Sequence, residues 1–210
     1  MAAERTRLFD RWSAVYDRPR FQDATYRPVH DAVLARLPAH AEMVLDLGCG
    51  TGQLTRRLTE RYPPAAVVGV DYSAGMLHEA SRRVADSALL VRGDAMSLPF
   101  RPASADVVVC TESFHWYPDQ RKALASLAAV LRPDGQLVIA SIAAVTAVGA
   151  SAVRRLSTAG GQPVRALTPR GLRELLADAG FDVVHQRRIP RLGLLPWPVL
   201  TEARLAQPFQ

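Results

Sequence analysis

"VLDLGCGTGQLT", residues 44–55, decides how the rest of the chain is read. An apolar run with one embedded acid, Asp46, meets three glycines, Gly48, Gly50 and Gly52, and then a helical pattern. Glycines there permit positive φ and let a ligand approach the backbone closely. A bare strand-to-helix turn rarely needs three of them. The spacing is G-x-G-x-G, and Gln53 stands where a dinucleotide fingerprint would have its last glycine. The Gly-Lys-Ser/Thr of a phosphate-binding loop is absent as well. The stretch therefore suits a nucleoside ligand with no pyrophosphate to cradle.

Working outward, short apolar runs at 43–47, 66–70, 88–92, 106–110 and 136–142 read as strands buried on both faces. Helical patterns lie between them at 53–62, 74–85 and 119–131, the last ended by "RPDG". "MSLPFRPASAD" carries no convincing helix. Strands alternating with helices predict an α/β, doubly wound, mostly parallel sheet covered on both faces. "TPRGLRELLADAGF" predicts a capped helix, with Thr168 as N-cap, Pro169 at the first position and Gly180 as the stop. "DVVHQRRI" and "PVLTEARL" predict two final strands, separated by a turn rich in proline (Pro190, Pro196, Pro198). Residues 5–37 read as mainly helical with a break near Arg18-Pro19, and 143–167 as a small lid.

With 210 residues, 49% apolar and 22% charged, the chain fits one domain of ordinary composition. No stretch has the roughly 18 apolar residues a membrane span needs. The N-terminal "MAAERTRLFDRW" lacks the marks of a signal or transit peptide, so a cytoplasmic location is expected. Cys49 and Cys110 lie far apart, and the five histidines are scattered without ligand spacing, so neither disulfide nor metal is expected. A net charge of +6 raises nucleic acid as a partner. Yet residues 41–150 carry 10 basic and 11 acidic groups, against 9 and 4 in 151–210. The excess sits at one end as scattered arginines, which favours solvated surface over a nucleic-acid face.

Asp71 ends the second strand some 20 residues past the glycines, where an acid can accept both hydroxyls of a ribose. Asp94, after the third strand, can accept the exocyclic amine of an adenine. Tyr72, Met76 and Met96 offer apolar surfaces for its faces. The fourth strand runs into "TESFHWYPD", and residues there face the crevice at the switch in strand order. Phe114, His115, Trp116 and Tyr117 thus read as an acceptor-side wall or as packing of a helix entry. His115 has three readings: positioner, general base or structural residue.

The motifs "VLDLGCGTG", "VVGVDYSAGML", "GDAMSLPF", "ADVVVC" and "LRPDGQLVIA" make residues 43–142 resemble the class I S-adenosylmethionine-dependent methyltransferases. The resemblance is to the small-molecule branch with menaquinone-type and trans-aconitate-type enzymes. It implies a Rossmann-like seven-stranded sheet whose last strand, "PVLTEARL", is antiparallel and inserted beside the fifth. It implies S-adenosylmethionine as cofactor and S-adenosylhomocysteine as product. Asp46 would orient the loop and the methionine ammonium, with Gly48, Gly50, Gly52 and their backbone around the methionine part. Asp71 would bind the ribose, Tyr72 and Met76 would line the adenine, and Asp94 with Ala95 and Met96 would read its edge. Cys110 and Thr111 would offer backbone carbonyls to the ammonium, and Tyr16, in "LFDRWSAVYD", would cover the methionine end. The chain then divides into a helical cap (1–40), a cofactor core (41–142), the small lid (143–167) and a C-terminal helix with the final strands (168–210).

The leading expectation is methyl transfer to oxygen, nitrogen or carbon of a small metabolite, by a monomer or homodimer. A His-Trp pair after the fourth strand also occurs in carboxyl methyltransferases of the trans-aconitate type. An acidic substrate could meet Arg154, Arg155 and Arg165, which otherwise read as solvated surface. An RNA methyltransferase is disfavoured, since Thr-Glu-Ser-Phe stands where Asn/Asp-Pro-Pro-aromatic would. A protein that binds the cofactor without methylating is a third alternative, and a nicotinamide dehydrogenase, the remaining one, is disfavoured by Gln53.

Overall fold

The computed structural model describes residues 25–62, 66–159, 163–190 and 197–206. Its elements in chain order are α1 (Arg27–Leu34), β1 (Met43–Leu47), α2 (Gln53–Arg61), β2 (Ala66–Asp71), α3 (Ala74–Val84), β3 (Leu89–Arg92) and β4 (Ala105–Thr111). A 3₁₀ turn, Phe114–Trp116, precedes α4 (Gln120–Val130), β5 (Leu131–Ile142), α5 (Ala147–Ala159), α6 (Pro169–Asp178), β6 (Phe181–Arg188) and β7 (Pro198–Leu205). The predicted "PVLTEARL" strand is β7 to the residue. Tyr16, "LFDRWSAVYD" and the Arg18-Pro19 break lie outside the described residues.

The strands form one sheet in the order β3-β2-β1-β4-β5-β7-β6. Neighbours from β3 through β5 are parallel, and β7 runs antiparallel to both β5 and β6. Strand alternation sorts the side chains onto two faces. Val108 and Cys110 of β4 join Leu45, Leu137 and Ile139 under α4 and α6. Val107 and Val109 join Val44, Val138 and Leu200 under α1 and α2. Both faces are dry, which is why these strands read as continuous apolar runs rather than alternating ones.

Caps fix the helix ends. Ser73 Oγ accepts from Met76 N, Asp119 from Lys122 N, and Thr168 Oγ1 from Gly171 N. From β1 onward most boundaries fall within about one residue of the sequence reading, and two segments depart further. β5 begins at Leu131 instead of 136, because Leu131 pairs with Ala105 before a bulge at "RPDG" lets Gln136 resume the ladder opposite Val107. Within 143–167 the chain forms α5, whose Val148 and Leu156 are exposed. A helix with no buried stripe leaves only a weak apolar signature, hence the poor legibility.

Candidate active site

The switch in strand order falls between β1 and β4, and the glycine turn lies at the carboxyl end of β1. Gly48, Gly50 and Gly52 all take positive φ (71°, 54° and 78°), each for a different reason. A Cβ on Gly48 would lie 2.4 Å from Ser113 Oγ and 2.5 Å from Ser113 Cβ. Gly52 opens α2 in a left-handed conformation, and the helix start carries no side-chain cap. A Cβ on Gly50 would meet no heavy atom of the described residues within 4 Å, so among them this glycine borders open space.

Asp71 holds the turn in place. Its Oδ2 accepts from Gly50 N at 2.9 Å and its Oδ1 from Ser73 N at 2.8 Å, joining the ends of β1 and β2. Gly48 N and Cys49 N both donate to the Val70 carbonyl, at 2.7 and 3.1 Å. Beneath the turn Asp46 is fully buried. Thr55 Oγ1 donates to its Oδ2 at 2.7 Å, while Oδ1 has no hydrogen-bond partner among the described residues. Burial first, and the charge of Asp71 second among the raising effects, push the Asp46 carboxyl up to about 7 against the opposing pull of Thr55.

The loop after β4 plugs the turn from below. Ser113 Oγ donates to the Leu47 carbonyl at 3.1 Å and lies 3.1 Å from both Cys110 Sγ and Tyr117 Oη. Burial pushes the Cys110 thiol up to about 11 and the Tyr117 phenol well above its ordinary range, so both stay neutral hydrogen-bonding groups. Glu112, between Thr111 and Ser113, takes φ 51°, and its N–H donates to the Ala140 carbonyl at 2.7 Å. A non-glycine residue held there at the mouth of the crevice is a strained position.

The aromatic passage separates into distinct parts. Phe114 is buried and meets Tyr117 edge-on, with ring centroids 5.7 Å apart. His115 is 2% exposed, and its Nδ1 lies 3.0 Å from Ser141 Oγ at the end of β5. Trp116 is half-buried, its ring centroid 5.1 Å from that of His115. The Tyr117 hydroxyl belongs to the network under Gly48 rather than to the open crevice.

On the β2–β3 side, Tyr72 is exposed, with the Arg92 guanidinium 6.0 Å from its ring centroid. Met76 and Ala95 are buried and Met96 half-buried, and Asp94 Oδ1 accepts from Met96 N at 2.9 Å. Asp46, Asp71 and Asp94 thus lie at or near the carboxyl ends of three successive strands. Sequence reasoning passed over Thr55, Ser113, Ser141 and Gln120. Only Thr55 left a signal, as the hydroxyl closing the opening stretch.

These residues fit S-adenosylmethionine. The orphaned, buried oxygen of Asp46 suits an ammonium, and the space beside Gly50 admits a ligand against the backbone. An acidic donor set matches a ligand that carries an ammonium and a sulfonium, and would repel a pyrophosphate.

Fold and site together define a class I S-adenosylmethionine-dependent methyltransferase. The methyltransferase domain family matches residues 45–139. An uncharacterized methyltransferase of Geobacillus kaustophilus is 35% identical over 150 residues, 68% of this chain and 69% of that protein. This chain belongs to that family. A trans-aconitate 2-methyltransferase of Rhodopseudomonas palustris is 38% identical over 121 residues, 57% of this chain but only 46% of the relative. The match therefore spans less than half of that enzyme's length. Among solved structures, the Burkholderia thailandensis 1,6-didemethyltoxoflavin-N1-methyltransferase, with 1,6-didemethyltoxoflavin and S-adenosylhomocysteine bound, has a TM-score of 0.77 at 24% identity. That superposition covers 98% of this chain and 89% of the other, and it shows the shared fold. Among the described residues no helix is long and apolar enough to cross a membrane.

Proposed function

We propose that the acceptor is a small molecule, methylated on oxygen, nitrogen or carbon beside the Phe114–Trp116 turn, by a cytoplasmic monomer or homodimer. The cofactor supplies a methyl on a sulfonium. Bound there, it would give that methyl to an acceptor lone pair or carbanion, the carbon–sulfur electron pair leaving with sulfur as a neutral thioether. Placing the nucleophile in line contributes most to such a displacement. The observation that carries the reading is the Phe114–Trp116 turn itself, set after the carboxyl end of β4 beside the switch in strand order, with a shallow cleft between it, the end of β5 and the start of α6.

Within this reading a carboxylate oxygen is the favoured nucleophile. The trans-aconitate relatives act on an acid, and His115, enclosed and engaged with Ser141, is better suited to positioning than to carrying protons to solvent. A carboxylate needs no base. In the cofactor site, Asp71 takes the ribose, Asp46 the ammonium, Tyr72 and Met76 the adenine faces, and Asp94, Ala95 and Met96 its edge. Gly48, Gly52 and the Cys110 and Thr111 carbonyls complete the methionine end. Incubation with methyl-labelled S-adenosylmethionine and separate pools of small acids, small amines and RNA tests the proposal. Label is expected in the acid pool, with S-adenosylhomocysteine formed in equal amount. Label in RNA alone, or cofactor binding without turnover on any pool, would overturn it.

A further inference from the structure

Asp46 is engaged at one carboxyl oxygen and open at the other. It lies within β1, fully buried beneath the glycine turn. Thr55, the third residue of α2, is fully buried as well, and its hydroxyl donates to Asp46 Oδ2 at 2.7 Å. The Thr55 backbone N–H adds a second donor, from a helix start whose N-cap, Gly52, has no side chain to offer. Oδ1 has no hydrogen-bond partner among the described residues. The titratable groups facing the carboxyl are Asp71 from the end of β2, Cys49 from the turn and Cys110 from β4. Burial keeps both thiols neutral, and the Asp71 charge has the same sign as that of an ionised Asp46. Stability does not account for such a pair. Threonine is a weak helix former, and a buried polar pair replaced by apolar side chains of the same shape is often no less stable.

We propose that Thr55 is a positioning residue for the cofactor: its hydroxyl engages Oδ2, fixes the rotation of the Asp46 carboxyl and leaves Oδ1, as a carboxylate oxygen, for the ammonium of S-adenosylmethionine. The inference rests on the assignment of Asp46 to the ammonium above. The torsion that turns a carboxyl is soft and roughly two-fold, so a donor on Oδ2 selects which oxygen stays open. The same donor favours the charged form. Burial and Asp71 push the carboxyl pKa up, the two Thr55 hydrogen bonds pull it down, and it settles at about 7. Without the hydroxyl the carboxyl keeps its proton to higher pH, and the ammonium meets a neutral acid over a wider range.

Thr55→Val removes the hydroxyl and keeps the shape. Calorimetry follows S-adenosylhomocysteine affinity from about pH 6 to about pH 8.5, a curve that should rise through about 7 in the parent. In Thr55→Val its midpoint is expected about one pH unit higher. Affinity should then be about fivefold weaker at about pH 7, yet within about twofold of the parent at about pH 8.5. Thr55→Ser, which keeps the hydroxyl, should restore the parent curve. 5′-Methylthioadenosine, a thioether nucleoside without an ammonium, should bind the parent and Thr55→Val equally at every pH. Weakening of both ligands alike, a loss for S-adenosylhomocysteine that is the same at every pH, or an unchanged curve would overturn the proposal. Should Thr55→Val not fold, Thr55→Ala read against Thr55→Ser makes the same comparison. Asp46→Asn tests the reading beneath. Unchanged affinity there would take the ammonium away from Asp46 and overturn both, whereas a loss there without a shifted midpoint in Thr55→Val removes the role of Thr55 alone.

Discussion

At the scale of single residues, Asp46 is the most informative group. Its carboxyl has a pKa of about 7 in the fold against 3.8 in an open chain, mainly through burial. The folded chain therefore binds this proton more tightly. The contribution to stability is fully present below about pH 4 and is lost as pH rises through about 7. A cation placed against Oδ1 reverses the preference and favours the carboxylate. S-Adenosylhomocysteine, which retains the ammonium, should thus bind about tenfold more weakly at about pH 6 than at about pH 8, with proton release on the acid side. Calorimetry in two buffers of different ionisation enthalpy measures both; equal affinities would remove Asp46 from the ammonium site. At the turn, His115 and Trp116 are expected to separate. Trp116→Ala should raise KM and lower kcat with S-adenosylhomocysteine affinity preserved. His115→Ala should lose activity nearly independently of pH. A loss of about 10²-fold or more that recovers at high pH would instead make it a base.

At the scale of the element, the glycine turn joins two functions that sequence alone does not separate. Gly48 is closed in by Ser113, whereas Gly50 faces open space among the described residues. Gly48→Ala should therefore destabilise the fold by about 2–4 kcal/mol through clash and strain combined. Gly50→Ala carries only the backbone cost, about 1–2 kcal/mol, but should lose most of its cofactor affinity because the methyl enters the ligand's space. Thermal unfolding with and without S-adenosylhomocysteine distinguishes the two. Matching losses in both variants would show that neither neighbourhood decides the outcome. The turn itself was legible from residues 44–55, since three glycines and an apolar lead-in are local signals. The partner that makes Gly48 obligatory was not. Ser113 lies 65 positions along the chain and reaches the turn only because β4 pairs beside β1.

At the scale of the whole molecule, one polar cluster ties three elements together. Glu202, buried in β7, accepts from Arg36 just past α1 (2.8 Å from Nε, 2.5 Å from Nη2) and from Gln136 Nε2 of β5 at 2.7 Å. Glu202→Ala leaves the Gln136 amide and the Arg36 guanidinium without this acceptor. It should cost about 2–4 kcal/mol in urea unfolding, the half-exposed arginine moderating the loss. Glu202→Gln should recover part of it. The cluster sits toward the amino end of β5, so cofactor affinity in the folded variants should be unchanged. Turnover should also survive chelation of divalent ions, because the described residues hold no cluster of three or more metal-ligating side chains. Loss on chelation, restored by one added ion, would contradict this.

The sequence by itself determined the strand–helix alternation, the cap at Thr168, the nucleoside-type glycine turn, and the acids Asp71 and Asp94 at their strand ends. Each is encoded within a few residues, where periodicity and backbone preference act directly. The insertion of β7 between β5 and β6 was legible only through resemblance. Its antiparallel register, from Gln136 with Arg204 to Ile142 with Pro198, exists only once two distant segments pack. Tertiary structure alone decided that Tyr117 turns beneath Gly48, that His115 meets Ser141, and that Arg165 docks on the His115 carbonyl. Those contacts are selected by shape and by the cost of leaving buried polar atoms unpaired, which no local pattern records.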